Sequence, residues 1–470
     1  MLIRTDCCVV GMGPAGIGVT LKLLEDDKKR GILCVDSGKG PSNRICSMRN
    51  GETTVDTNTL SDECIINSMG LRDNNNCAVI SGFGGCSFDS GGKLSLFPAG
   101  SKIADILHST KKTIDKFEES LNILSKYVNV LKHQHDTKNV SDGKNFFEKL
   151  GFEFRFYESY SFDPEELKTA LSTMYAHLID NGVNVLMETE LQSVIKSDHT
   201  YKLLFKKIGQ KEPIEVETKI VILGVGRAGR ELMRKLNDQL DLGGYQTHID
   251  VGVRLEFPRN LTDKVDRYHN DLKLQFGQAR TFCVCVGGRI SPYFLGGIFF
   301  TEGYQKPLSN GEYTNLGITV RIERDEYDKE LINYIHSMSR KISKGRVIAQ
   351  PLEEFLRDPI EPNNERYIKN SSFITYELGD VSSLFTPPVS KKIKYSVRYF
   401  SDRFFDPEDI SKVSVLGPEL DYGGVTFNLN QDFSVIPGLY VIGDCTGKFR
   451  GILQSMASGL ICGESIINGN

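Results

Sequence analysis

The stretch CCVVGMGPAGIGVTLKLL, residues 7–24, decides how the rest of the chain is read. A short apolar run suited to a buried strand leads into Gly11-x-Gly13-x-x-Gly16, and apolar residues at helical spacing follow. A strand entering a helix across three spaced glycines is built to meet a pyrophosphate. The first glycine permits the tight turn, the second lets backbone approach the phosphates, and the third lets helix and strand pack closely. Pro14 and Ala15 open the helix, whose free amides and dipole favour an anion. A second apolar run, GILCVD at 31–36, ends in Asp36, at the right distance to take ribose hydroxyls, with Ser37 beside it.

The other end of the chain says which dinucleotide. VIGDCTGKFRGILQSMASG, residues 441–459, again reads as a strand, a glycine-rich turn and a helix. A nicotinamide domain is complete in one contiguous unit of roughly 150 residues, yet this element lies over 400 positions downstream. Gly443 and Asp444 end a strand, where the carboxylate can accept hydrogen bonds from a ribitol. Gly451 and Ile452 begin a helix whose amino terminus can stabilise charge at the pyrimidine edge of a reduced isoalloxazine. Two half-sites, one from each end, imply FAD.

The expected fold is α/β: a doubly wound, Rossmann-like FAD-binding domain assembled from both chain ends, with a second, mainly antiparallel β (α+β) substrate domain. The first would take residues 1–235 and 415–470, with a helical insertion at about 101–150, and the second residues 240–410. Apolar residues at three- and four-residue steps predict helix over 101–132, and DTKNVSDGKN at 136–145 reads as a mobile connection. SFDPEELKTALSTMYAHLIDNG, from Ser161, carries a Pro start and a Gly stop. Runs at 191–207 and 214–223 suggest an antiparallel meander, and a further helix is expected near 326–344. A second GxGxxG, Gly224-x-Gly226-x-x-Gly229, is not followed by a strand ending in an acid; it reads as a close approach to the same FAD, not a separate NAD(P) domain.

GMGPAG, LCVDSGKG and GLYVIGDCTG resemble the FAD domain of two-domain flavoproteins related to glutathione reductase. GFGGCSFDSGGKL at 82–94, DVGVRLEFP at 250–258 and TFCVCVGGR at 281–289 are similar, in the same order, to motifs of the uncharacterised FAD-dependent dehydrogenase family. The likeness spans nearly the whole chain; FDSGGKL departs from the family's Ser–Asp order. It implies a flavoprotein dehydrogenase and names no substrate. Gly84, Gly85, Ser90, Gly91 and Lys93 of the first motif are expected at the pyrophosphate or the isoalloxazine.

Four side chains are candidates for catalysis. Cys283 and Cys285 alternate along a predicted strand and so share a face, either as a reactive thiol pair by the flavin or as small core residues. A CxC pair makes a strained internal disulfide. Arg254 shares a face with Glu256, directed toward a substrate cavity or toward solvent. Lys448, near Arg450, could hold an anionic substrate or a flavin carbonyl, although cations oppose the dipole at a helix start. Cys46, Cys64, Cys77 and Cys86 lack metal-ligand spacing, and no metal is expected.

The chain of 470 residues, 39% hydrophobic and 25% charged, suits a soluble globular protein. A net charge of −4 supplies no general attraction to nucleic acid, and no membrane span or secretory leader is read. The expectation is a cytoplasmic FAD-dependent oxidoreductase moving a hydride between a small organic substrate and the flavin, with NAD(P)H as a candidate donor. A homo-oligomer or a redox partner protein is compatible with it. The alternatives are a flavin oxidase or monooxygenase, or a flavoprotein acting on or binding a macromolecule such as tRNA.

Overall fold

The structure is a computed structural model that describes residues 1–46, 77–88, 90–133, 137–246, 248–306, 310–323, 331–357, 368, 371–373, 376–422 and 424–469. At its centre is a six-stranded sheet ordered Ser434–Ile436, Leu439–Val441, Ile220–Leu223, Cys7–Val10, Ile32–Val35 and Asn184–Leu186. All pairings are parallel except the first. Cys7 lies opposite both Ile32 and Ile220, and Val221 opposite Leu439, so strands from three distant parts of the chain meet in register.

Side-chain alternation sorts these strands between two cores. Cys7, Val9, Ile32, Cys34 and Ile222 face a helical layer, built from Pro14–Leu23, Ile452–Asn468 and Pro164–Asp180. Cys8, Val10, Leu33, Val35, Val221 and Leu223 face a four-stranded sheet. The expected doubly wound arrangement has helices on both faces; here a β-meander covers most of one. That meander is ordered Leu2–Arg4, Ile214–Thr218, Tyr201–Lys207 and Thr189–Lys196. The run read as 214–223 divides, its second half joining the parallel sheet and its first half pairing with Leu2–Arg4, a strand the sequence reading missed.

An eight-stranded, largely antiparallel sheet forms the second layer system. The long strands His248–Pro258, Tyr313–Glu323 and Ser414–Tyr422 lie at its middle, and Ala279–Cys285 beside them. It draws Glu153–Phe154 and Ser414–Tyr422 from outside residues 240–410. The helices Leu331–Ser343 and Pro387–Phe404 accompany it.

Two local expectations are corrected. The helix expected over 101–132 is two helices, Lys102–Leu107 and Thr110–Ser125, because His108 takes a left-handed φ of 50° and Ser109 recaps the chain through its hydroxyl. The polar stretch at 136–145 is not a mobile connection; Thr137–Lys149 is helical. Its residues are poor helix formers, but Phe146 and Phe147 stack with Tyr268 and Phe154, and tertiary packing overrides propensity. The helix Pro164–Asp180 starts as expected, with Asp163 accepting from the Glu165 amide at 2.9 Å.

Candidate functional site

The two glycine-rich ends come together because glycine lets backbones touch. A Cβ at Gly11 would run into the Gly224 carbonyl, so the first strand and the strand Ile220–Leu223 approach where both turn. The helices Pro14–Leu23 and Ile452–Asn468 cross at Gly18 and Gly459. A Cβ at Gly18 would lie 2.7 Å from the Met456 carbonyl oxygen, and one at Gly459 would overlap the Ala15 carbonyl. Neither helix has a side-chain N-cap; their caps are Gly13 and Gly451. Their amino-terminal amides therefore lack helical partners and open side by side into one cavity of about 600 Å³. That volume falls within the roughly 300–1,000 Å³ usual for small-molecule and cofactor sites.

Of the expected cofactor residues, Gly11, Gly13, Pro14, Ala15, Asp36, Ser37, Gly85, Ser90, Gly91, Lys93, Gly224, Gly226, Gly443, Asp444, Gly451 and Ile452 all line this cavity. Gly16 and Gly84 stand behind it. Gly16 packs on the Gly11 carbonyl, and Gly84 donates its amide to Met12 at 2.7 Å from a left-handed φ of 91°. Asp36 carries more than the ribose reading assumed. One carboxylate oxygen accepts from Met12 N at 2.7 Å and the other from Gly38 N and Gly82 N at 2.8 and 2.9 Å. One lone pair of the four remains for a ligand.

Loop 443–451 is fixed by the helix it precedes. The Gly443 amide donates to Ser458 Oγ at 3.0 Å, and Ser455 Oγ donates to the Phe449 carbonyl at 2.8 Å. Arg227, within the second glycine motif, reaches this loop, 3.7 Å from Asp444 and 3.6 Å from Glu302, with its guanidinium 5.4 Å from the Tyr293 ring. Its Nε and the Ser81 hydroxyl are buried without a hydrogen-bond partner among the described residues, and both groups line the cavity.

No protein-family profile matches the chain, and no curated protein sequence matches it. Solved structures do align with it. The substrate-free rebeccamycin biosynthetic enzyme RebC is 10% identical with TM-score 0.38, over 100% of this chain and 64% of that one. The chain thus spans less than two thirds of RebC. A geranylgeranyl bacteriochlorophyll reductase-like protein from Thermoplasma acidophilum is 13% identical with TM-score 0.40, over 100% and 80%. A flavoprotein/dehydrogenase from Cytophaga hutchinsonii is 12% identical with TM-score 0.38, over 100% and 80%.

Cys283 and Cys285 both line the cavity, with their sulfurs 3.9 Å apart. Regular strand alternation is not the reason. The pairing with Tyr313–Glu323 slips between Phe282 and Cys285, and Cys283 adopts a φ of 47°, a conformation non-glycine residues hold only under constraint. The constraint comes from two cations. Arg254 donates to the Cys283 carbonyl at 3.1 Å, while Lys93 bonds the Val284 carbonyl and sits 3.8 Å from Cys285 Sγ. The hydrogen bond from Cys285 lowers the Cys283 pKa; burial opposes this, and Arg254 and Lys93 assist it.

Lys93 and Lys273 each lie 3.8 Å from Asp271, which also accepts from the Tyr157 hydroxyl and from Val284 N at 3.1 Å. Burial would raise the Asp271 carboxyl, but the two lysines and Tyr157 outweigh it and hold it well below the usual range.

Two candidates do not reach the cavity. Arg254 is fully buried, forked onto Glu419 at 2.6 and 3.0 Å and bonded to Asn315 at 2.8 Å, so it is a buttress under the thiols. Glu256, on the same strand face, is sealed by Ser371 and Ser372. Lys448 stands off the lining, and Arg450 takes the place expected of it. Cys64 lies outside the described residues. The sequence reading also missed Arg44, which donates to the carbonyls of Ala78, Val79, Gly82, Phe83 and Gly85 and so fixes the loop that crosses Gly13. A lone arginine in a loop gives no pattern from which this could be read.

Proposed function

We propose that the chain is an FAD-dependent oxidoreductase, a dehydrogenase or reductase acting on a small organic substrate. The observation that carries this is the pair of uncapped helix amino termini, contributed by opposite ends of the chain and opening on one cavity. The residues fit FAD. The amide at Ala15, with the unpartnered Ser81 hydroxyl and Arg227 Nε, would offer donors to a pyrophosphate. Asp36 offers its last lone pair to the ribose, Asp444 accepts from the ribitol, and the Ile452 helix favours negative charge at the ring. Bound there, FAD supplies two-electron chemistry that needs no protein nucleophile.

This chain's own residues then position and protonate. Lys93, anchored on Val284 and Asp271, holds a proton beside the thiols; burial pulls its pKa down, but Cys285, Asp271 and Cys283 outweigh burial and leave it raised. Cys283 presents a thiol of lowered pKa to the same space. The sequence motifs resembling the FAD-dependent dehydrogenase family support the same reading. The described cysteines are all free thiols, which suits a reducing, cytoplasmic setting.

The test is an anaerobic stopped-flow measurement of the purified protein mixed separately with NADH and NADPH. A yellow protein whose flavin band bleaches with one of them supports the reading. No flavin absorbance, even after FAD is added, overturns it. Rapid reoxidation of the reduced protein by O₂ would favour the oxidase or monooxygenase alternative.

A further inference from the structure

One wall of the cavity is built on a cluster of guanidiniums and carboxylates. The guanidiniums of Arg280, Arg321 and Arg450 share two carboxylates. Arg321 forks onto Asp250 at 2.8 and 2.9 Å, Arg280 bridges Asp250, at 3.0 Å, and Asp421, and Arg450 contacts Asp421 through both carboxylate and carbonyl. His248, 3.8 Å from Asp250, adds no charge, since burial lowers its pKa. Among the described residues Glu323, two positions beyond Arg321 on the same strand, is a further carboxylate acting on this cluster. Lys93 and Lys273 share Asp271 at the same cavity, with Lys273 close enough to Arg280 to feel its charge, and the acidic Cys283 thiol can supply balancing negative charge there.

Arg280 and Arg450 reach the cavity, and between them lies Phe282, with its ring centroid 4.7 Å from the Arg450 guanidinium carbon and 6.0 Å from that of Arg280. A flat apolar face framed by two guanidinium forks, one residue from Cys283, is shaped for a planar acid.

We propose that this wall seats the substrate through its carboxylate, and that the substrate class is a monocarboxylic acid with a flat, unsaturated or aromatic body lying along Phe282 toward Cys283 and Lys93. The two guanidiniums that reach the cavity, Arg280 and Arg450, present the planar N–H forks from which a carboxylate accepts. Burial, and then Arg227 and Arg280, push Arg450 down to about 9, the direction expected of a cation awaiting an anion. The fate of the bound acid rests on the oxidoreductase reading; its binding does not.

The test is calorimetric titration of the purified protein, its flavin content recorded, with sodium benzoate, neutral benzamide and sodium sulfate at matched ionic strength. Benzoate is expected to bind, and benzamide at least tenfold more weakly. Arg450→Gln and Arg280→Gln should each weaken benzoate roughly ten- to hundredfold, the value of a charge-assisted hydrogen bond, while Lys202→Gln on the exposed meander should match the parent. If Arg450→Gln fails to fold, Arg450→Lys, which keeps the charge and loses the fork, should give an intermediate loss. Equal binding of benzamide, unchanged benzoate affinity in both arginine variants, tighter binding of sulfate than benzoate, or displacement of benzoate by added FAD would each overturn the proposal. A protein that takes up no flavin even when FAD is added, yet still selects benzoate, would sink the FAD reading alone.

Discussion

Replacing Gly459 with alanine tests whether the contact between the two helices is what shapes the cavity. The added methyl would stand 2.7 Å from Val19 N and 3.1 Å from the Ala15 carbonyl carbon, with the Ala15 oxygen nearer still. All three atoms are backbone in the facing helix, so no rotamer change relieves them. Ordinary contact begins near 3.5 Å, which requires the helices to part by roughly 1 Å. Overpacking of this kind costs about 1–3 kcal/mol, against a gain of about 1 kcal/mol from replacing a mid-helix glycine. The expected net loss is up to about 2 kcal/mol in urea unfolding. A shift of one helix terminus also weakens its hold on negative charge, and roughly tenfold lower FAD affinity should follow. Gly40→Ala is the control, since its methyl would meet nothing nearer than the Met187 and Tyr175 side chains at 3.9 and 4.0 Å, at an ordinary φ of −67°. It should come out near neutral. If Gly459→Ala matches Gly40→Ala in both urea midpoint and FAD retained through desalting, the reasoning is refuted.

Three further outcomes are expected. Arg44→Met should cost about 3 kcal/mol or more in urea unfolding, because it strands several buried carbonyls that now accept from one guanidinium; a loss below about 1 kcal/mol would show that the loop holds itself. Cys285→Ala removes the hydrogen bond that does most to lower Cys283, so the midpoint of Cys283 alkylation by iodoacetamide, followed against pH by mass spectrometry, should move upward; an unmoved midpoint would deny the pairing. Asp271 has a folded pKa below its unfolded one, so its contribution to stability is present above about pH 4 and fades as pH falls further. Asp271→Asn should therefore flatten the acid limb of the stability–pH curve, and an acid limb as steep as the parent's would show that other carboxylates set it.

What the sequence made legible was what neighbouring residues decide. The strand–glycine–helix signature at Gly11–Gly16 and the Pro164 helix with its Asp163 cap depend on backbone conformation over a few residues, and such patterns survive in a string of letters. The helix Thr137–Lys149 was hidden because its stability comes from Tyr268 and Phe154, which local propensity does not register. The ion cluster on the cavity wall was hidden for the same reason at longer range: Arg280 and Asp421 are 141 residues apart, and only the sheet that carries both brings them together. Cys283 and Cys285 illustrate a right adjacency reached by a wrong route. Strand alternation predicted a shared face, while a slip in pairing and a left-handed residue actually put the sulfurs side by side.

The helix Ile452–Asn468 supplies the last wall of a cavity whose first wall is the turn at Gly11–Gly16. While the ribosome is still adding those residues, the nascent chain has half a binding surface and nothing to close it. A ligand that needs both walls therefore waits until residues 452–468 have been made, and the strand Ile220–Leu223, already paired with Cys7–Val10, keeps its other edge open until Leu439–Val441 arrives. A fragment ending before Leu439 should be colourless however well its remaining strands pair.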